Sequence, residues 1–361
     1  MNALARPVLG HLDPIVITLL DDLHARLTRT FKAPAGSLVL AVSGTGTAAM
    51  ETAIANLVGP GRRVLVVNNG YFGARLAEIA ARYGGAVRTV DGEWGRAIDP
   101  ERVREALAAE GADVVCVVHA ETSTGVRNPV PEICGIAKAH GALTVVDCVT
   151  SLGGQPVDMA GWGADVCYSG SQKCIGAPSG IAPIAVAPAA RERLVPCRSF
   201  YFDLKLLDEY WTARKYHHTI GSPLVQSLHE ALVAIEEEGL ETRWARHQRV
   251  HRAFTAAVEA MGLALLPPPG ERLVTLTTVR VPAGVNEAAV RTELRDRLLV
   301  EIGAGMGPLA GAIWRVGLMG ASATPPMLLL LVGALEAVLP RHGYSFTHGA
   351  GIAAAASALD P

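Results

Sequence analysis

The sequence predicts an open α/β sheet with helices on both faces, followed by a smaller α+β unit. Three observations carry this. First, short runs recur that are mostly apolar at every position, as strands of a covered parallel sheet are. Second, helix-like segments fall between several of those runs. Third, the pattern changes after about residue 238, where strands mix with fewer helices.

The runs are LVLAV (38–42), VLVV (64–67), VRTV (87–90), VVCVV (114–118), LTVVD (143–147), DVCYS (165–169) and IAPIAV (181–186). The intervening helices are read from TAAMETAIANLV, FGARLAEIAARYG, PERVREALAAEG and PEICGIAKAHG, with glycine as the stop signal in several. Beyond residue 238, ETRWARHQRVHRAFTAAVEAMG predicts a long amphipathic helix. A Pro-rich turn follows, then strand LVTLTTVRV, helix NEAAVRTELRDRL, short strand VEIGAG, strand IWRVGLMG and a final helix over PPMLLLLVGALEAVLP. That last stretch is too short to span a bilayer and carries a glutamate. The Ala-rich tail GIAAAASAL matches none of these patterns.

The 361 residues are 50% hydrophobic and 18% charged, with a net charge of -2. That is too apolar for disorder, and it shows no basic stripe for nucleic acid. Six cysteines form no CxxC pair and sit mostly in apolar runs, so buried reduced thiols are expected. The opening MNALARPVLGHLDP has no signal-peptide h-region. Both points favour a cytoplasmic protein.

In open α/β sheets ligands sit at the carboxyl ends of the strands. Five such ends here carry useful groups: Ser43 to Thr47, Asn68 to Phe72, His119 to Thr124, Asp147, and Ser169 to Lys173. SGTGTAAME follows a strand and opens a helix. GTGTAA fits the glycine pattern of a dinucleotide site, but that site wants an acid at the next strand end, where Asn68 stands. A plain tight turn remains open. A phosphate cradle fits best, because Gly44 and Gly46 admit the backbone and a helix start favours an anion. Asp147 is a strand-end carboxylate or a loop anchor. Lys173 is a lone amine among small residues, and apolar surroundings make an amine a usable nucleophile. Cradle, carboxylate and lysine together describe a pyridoxal phosphate site.

The stretches SGTGTAAMETA, NNGYFGAR, HAETSTGV, VVDCVTSLGG, YSGSQKCIGAPSG, KYHHTI and IWRVGLMG span residues 43 to 320. In them the chain resembles the class V aminotransferases of fold type I, most closely the alanine–glyoxylate and serine–glyoxylate (serine–pyruvate) group. The resemblance implies a large domain, 1–238, with a mostly parallel seven-stranded sheet and an N-terminal dimerisation segment. It implies a small α+β domain over 239–361. It implies a homodimer with bound pyridoxal 5'-phosphate and amino acid and 2-oxo acid substrates.

It also implies roles by residue. Lys173 would hold the cofactor as a Schiff base and shuttle the proton. Asp147 would pair with the ring nitrogen. Gly46, Thr47 and Gln172 would sit at the phosphate. Phe72 would stack on the ring, where relatives often carry Trp, and Thr122 would lie at the ring edge. Tyr216 and Thr219 would reach the phosphate of the partner subunit. Arg315 would clamp the substrate carboxylate. Without the resemblance, an Arg on an apolar strand still needs an anion, and a structural salt bridge is the alternative. His217 and His218 are read as packing residues, with no metal role, and Cys174 as a small packing residue. The family's Gly-Pro-Gly-rich opening segment is not matched before ARPVLGHLDP.

The expected reaction moves an amino group from L-alanine or L-serine to glyoxylate. Alternatives are ureidoglycine–glyoxylate or aminoethylphosphonate transamination, or a catalytically impaired relative that binds the cofactor.

Overall fold

A computed structural model describes residues 2–360. All seven predicted runs are strands of one sheet: β1 (Leu38–Ser43), β2 (Arg63–Asn68), β3 (Ala86–Asp91), β4 (Val114–Val118), β5 (Leu143–Asp147), β6 (Val166–Tyr168) and β7 (Ile181–Val186). Their spatial order is β1-β7-β6-β5-β4-β2-β3. Strands β2 to β6 are parallel, and β7 is antiparallel to both neighbours. In β4, β5, β6 and β7 every residue is buried, which accounts for their unbroken apolar runs.

Pro183 in β7 shows why the ladder to β6 is short. Tyr168 pairs with Ile184, so Ser169 and Pro183 face each other next. Ser169 N–H donates to the Pro183 carbonyl at 2.8 Å. Proline has no N–H to return that bond. The ladder ends there, and the chain peels away toward Lys173.

The first helices to pack on this sheet are α1 (Pro14–Phe31), α2 (Gly46–Leu57), α3 (Tyr71–Arg82) and α4 (Pro100–Glu110). Their starts differ. Asp13 caps α1 and Asp99 caps α4, each through its own carboxylate and with proline at the first helical position. Helices α2 and α3 start at the carboxyl edge of the sheet and have no side-chain cap from their N-cap residue. Then come α5 (Val130–Ala139), α6 (Leu204–Ala213) and α7 (Ser222–Glu238). One hydrophobic cluster runs through these elements, from Leu20 to Ile235.

A second cluster runs from Val250 to Ala355. It lies between α8 (Leu240–Ala260), a three-stranded antiparallel sheet, α9 (Glu287–Leu298) and α10 (Pro325–Val338). The sheet has the order β8 (Leu276–Arg280), β10 (Ile313–Gly317), β9 (Gly303–Ala304). The Ala-rich tail is a helix too, α11 (Ala350–Leu359), with Ala355 in this core. Its start is held by Glu336 of α10, which accepts from the N–H groups of Gly349, Gly351 and Ile352 at 2.9, 2.8 and 3.2 Å. That is the work of the glutamate in the apolar stretch. No helix among the described residues is long and apolar enough to cross a membrane.

Candidate active site

The register aligns Val118, Asp147 and Tyr168 at the carboxyl ends of β4, β5 and β6. A cavity of about 180 Å³ opens beside that edge. Seven residues singled out in the sequence line it: Gly46, Thr47, Phe72, Thr122, Asp147, Gln172 and Lys173.

Asp147 is buried at the cavity floor. Its Oδ1 accepts from the Val149 N–H at 2.8 Å and its Oδ2 from the Tyr168 hydroxyl at 2.9 Å. Burial pushes its carboxyl up to about 7, against the pull of those two bonds. A protonated ring nitrogen beside it would restore the charged form.

Lys173 lies in a wide turn, Ser171–Ile175, and is itself non-helical. Burial lowers its pKa first, and the Arg315 guanidinium lowers it further. Both effects favour the free amine that nucleophilic chemistry needs.

At the other end of the cavity α2 begins. Thr45 offers its first turn no side-chain cap, so open N–H groups face a space lined by Thr45, Gly46 and Thr47. A Cβ on Gly46 would come within 2.8 Å of Val149, so only glycine permits this approach. An uncapped helix start suits a phosphate. The donor set thus fits pyridoxal phosphate: an anion cradle, a ring-sized space beside Phe72, a carboxylate and an amine. The nicotinamide alternative lacks the acid its ribose wants, since Asn68 stands at that strand end and its N–H₂ donates to Asp91 at 2.7 Å.

The description of the Aminotransferase class-V family matches residues 3–312, most of the chain. This chain is a class-V aminotransferase. Such enzymes use pyridoxal 5'-phosphate, and their substrates are amino acids and 2-oxo acids. A (S)-ureidoglycine–glyoxylate transaminase of Bacillus subtilis is 34% identical over 98% of this chain and 91% of its own. An alanine–glyoxylate aminotransferase of Drosophila melanogaster is 33% identical over 93% and 88%. Among solved structures, ureidoglycine–glyoxylate aminotransferase from B. subtilis superposes with a TM-score of 0.97, covering 100% of this chain and 94% of that one at 34% identity. Alanine–glyoxylate aminotransferase from Nostoc sp. does so with 0.91, over 94% and 91%, at 42% identity. The fold is therefore fold type I.

The aminotransferase holds its lysine turn from the second cluster. Arg243 of α8 is buried and donates to the carbonyls of Cys174 at 2.7 Å and Gly153 at 2.9 Å. Cys174 donates to the Thr150 carbonyl, and burial pushes its thiol up to about 12, too high for a nucleophile at neutral pH.

Arg315 stands on the central strand β10, paired with Thr278 on one side and Gly303 on the other. Its Nε donates to the Ala304 carbonyl at 2.6 Å and its Nη1 to the Thr122 carbonyl at 3.4 Å. No carboxylate among the described residues pairs with it. The structural salt bridge is thus absent, and the guanidinium keeps donors free near Lys173.

Tyr216 and Thr219 do not line this cavity. Tyr216 is 63% exposed, with its hydroxyl 3.5 Å from Thr219 Oγ1. Between them, His217 and His218 form a relay. The Phe200 carbonyl accepts from His217 Nε2 at 3.0 Å, the two Nδ1 atoms lie 2.8 Å apart, and His218 Nε2 meets Ser43 Oγ at 2.9 Å. Burial drops His218 to about 4, so its ring is neutral and ties this segment to the end of β1.

Two cavity-side residues escaped the sequence reading. Arg75 lies over the Phe72 ring at 5.1 Å and donates to Thr47 Oγ1 at 3.1 Å. Its spacing, one turn after Phe72, was the available signal. Glu121 is wholly buried, and nothing local in HAETSTGV points to its partners.

Proposed function

We propose that the enzyme moves an amino group from L-alanine or L-serine to glyoxylate, giving glycine and pyruvate or hydroxypyruvate. The observation that carries this is Arg315, a cation without a carboxylate partner beside the amine of Lys173. It suits a small substrate carboxylate held in a bidentate pair.

Bound in the cavity, pyridoxal phosphate supplies a ring that accepts electrons from the substrate Cα. The chain's own groups do the rest. Asp147 holds the proton on the ring nitrogen. Gly46, Thr47 and Gln172 bind the phosphate. Phe72 would cover one ring face and Thr122 would meet the ring edge. The Lys173 amine would take the proton from the substrate Cα. Arg315 orients the carboxylate so that this proton faces Lys173. Both half-reactions use one pocket, so initial-rate plots at several glyoxylate concentrations give parallel lines, and intersecting lines contradict the scheme.

The reading includes a homodimer in which Tyr216 and Thr219 reach the phosphate of the other copy. Exposed Val8, Leu12, Ile15, Phe200 and Tyr201 support it, joined through His11 packed on Tyr216 at 5.6 Å. It also includes a cofactor-holding domain over 1–238 and a smaller one over 239–361, consistent with the two separate cores. Unpaired cysteines support a reducing compartment, the cytoplasm.

A second reading, ureidoglycine as donor, is favoured by the likeness to the B. subtilis enzyme. A donor screen against glyoxylate tests both. Turnover highest with alanine or serine supports the first reading, and turnover with ureidoglycine alone overturns it.

A further inference from the structure

Helix α3 carries Phe72 but starts at Gly70, which has no side chain to cap it. A Cβ there would lie 2.4 Å from Glu121 Cδ. The cap arrives instead from across the cavity edge. Tyr71 N–H donates to Ser123 Oγ at 2.9 Å. Phe72 and Gly73 N–H both donate to Glu121 Oε2 at 3.1 Å. Glu121 Oε1 accepts from the Ser123 N–H at 3.1 Å and from its hydroxyl at 2.6 Å. Four donors converge on one carboxylate, which accepts them all only when ionised. Burial pushes the carboxyl up, and those bonds pull against it.

The two segments so joined both line the cavity. Phe72 belongs to one and Thr122 to the other. The Thr122 carbonyl also receives Arg315. A capping carboxylate ordinarily stabilises a helix and nothing more. This one fixes a distance inside a binding site as well.

We propose that Glu121 is a positioning residue: by gripping the Phe72 and Ser123 backbones together, it fixes Phe72 relative to Thr122 in the wall of the cavity that receives the pyridine ring. The proposal rests on reading this cavity as the cofactor site.

The test measures pyridoxal phosphate affinity by titration and the visible circular dichroism of the bound cofactor. The proteins are the full chain, Glu121→Gln, Phe72→Ala, the double variant, and Glu336→Gln as a control. Glu336 caps α11 in the other core, away from the cavity. Glu121→Gln keeps the shape but turns an amide N–H₂ toward donors. Its Kd rises about 10-fold, the worth of one hydrogen bond to a charged group, and its dichroic band weakens. In the Phe72→Ala background the same change moves Kd less than about 2-fold, because the two residues act as one unit. Glu336→Gln leaves both readouts alone. Should Glu121→Gln fail to fold, Ser123→Ala removes only the hydroxyl bridge and raises Kd by about 3-fold, less than one neutral hydrogen bond. An unchanged Kd and band in the foldable variant, or effects of Glu121 and Phe72 that multiply independently, overturns the proposal. A wild-type chain that binds no cofactor overturns the underlying reading instead, so the two failures are distinct.

Discussion

The two cores carry the same device and use it differently. Glu121 in the first and Glu336 in the second are both buried carboxylates that cap a helix belonging to another element. Around Glu336 the bonds run to backbone N–H groups at the start of α11, far from the cavity. Around Glu121 lies an edge of a different kind: α2 starts without a side-chain cap, Arg315 has no carboxylate partner, burial raises the Asp147 carboxyl, and Lys173 is a half-buried amine. Perturbed groups gathered at one edge suit a ligand.

The sharpest way to break this contrast is at Lys173. Replacing it by Ala lowers kcat by at least about 10³-fold, within the range for a lost general acid–base, and barely moves the melting temperature. A large loss of stability with little loss of rate would place Lys173 among the packing residues. Next is Arg315→Gln, which lowers kcat/KM by about 10²-fold, the worth of a charged bidentate contact. The loss falls on carboxylate substrates, and comparing alanine with its amine analogue shows it. Equal losses on both would assign Arg315 to structure.

Asp147 gives an effect of pH. Its folded pKa is about 7 without cofactor, raised by burial, against about 3.9 in an unfolded chain. The folded value is the higher one. The stability this group contributes is therefore full below about pH 4 and is lost as pH rises through about 7. Asp147→Asn removes that loss. Without cofactor, the variant melts with wild type at pH 3.5 and above it at pH 8, while its turnover collapses. Identical melting curves at both pH values would mean that Asp147 is not strained in the free protein. The smallest expected effect is Glu336→Gln, costing about 1–2 kcal/mol as a damaged helix cap with kcat and KM unchanged. A kinetic change there would erase the difference between the two cores.

Much of this was legible in the sequence because it is local. Most β-runs are apolar on both faces, and Asp147 and Lys173 stand at strand ends where a parallel sheet gathers ligands. What stayed hidden depends on pairing across long separations. Apolar residues do not reveal direction, so the reversal of β7 and the part Pro183 plays in ending its ladder emerge only from the register. Glu121 reads as any acid until the Phe72 and Gly73 N–H groups are seen to point at it. The alanine tail has no stripe of large residues, and its helix depends on a cap from Glu336. Tyr216 and Thr219 were marked by resemblance alone, and one chain leaves them outside the cavity.

The most direct measurement is the absorbance spectrum of the purified protein with pyridoxal phosphate, taken before and after L-alanine and again after glyoxylate. The account predicts a visible cofactor band that alanine removes and glyoxylate restores, with the band absent in Lys173→Ala. A wild-type protein that shows no such band, even with excess cofactor, would contradict it.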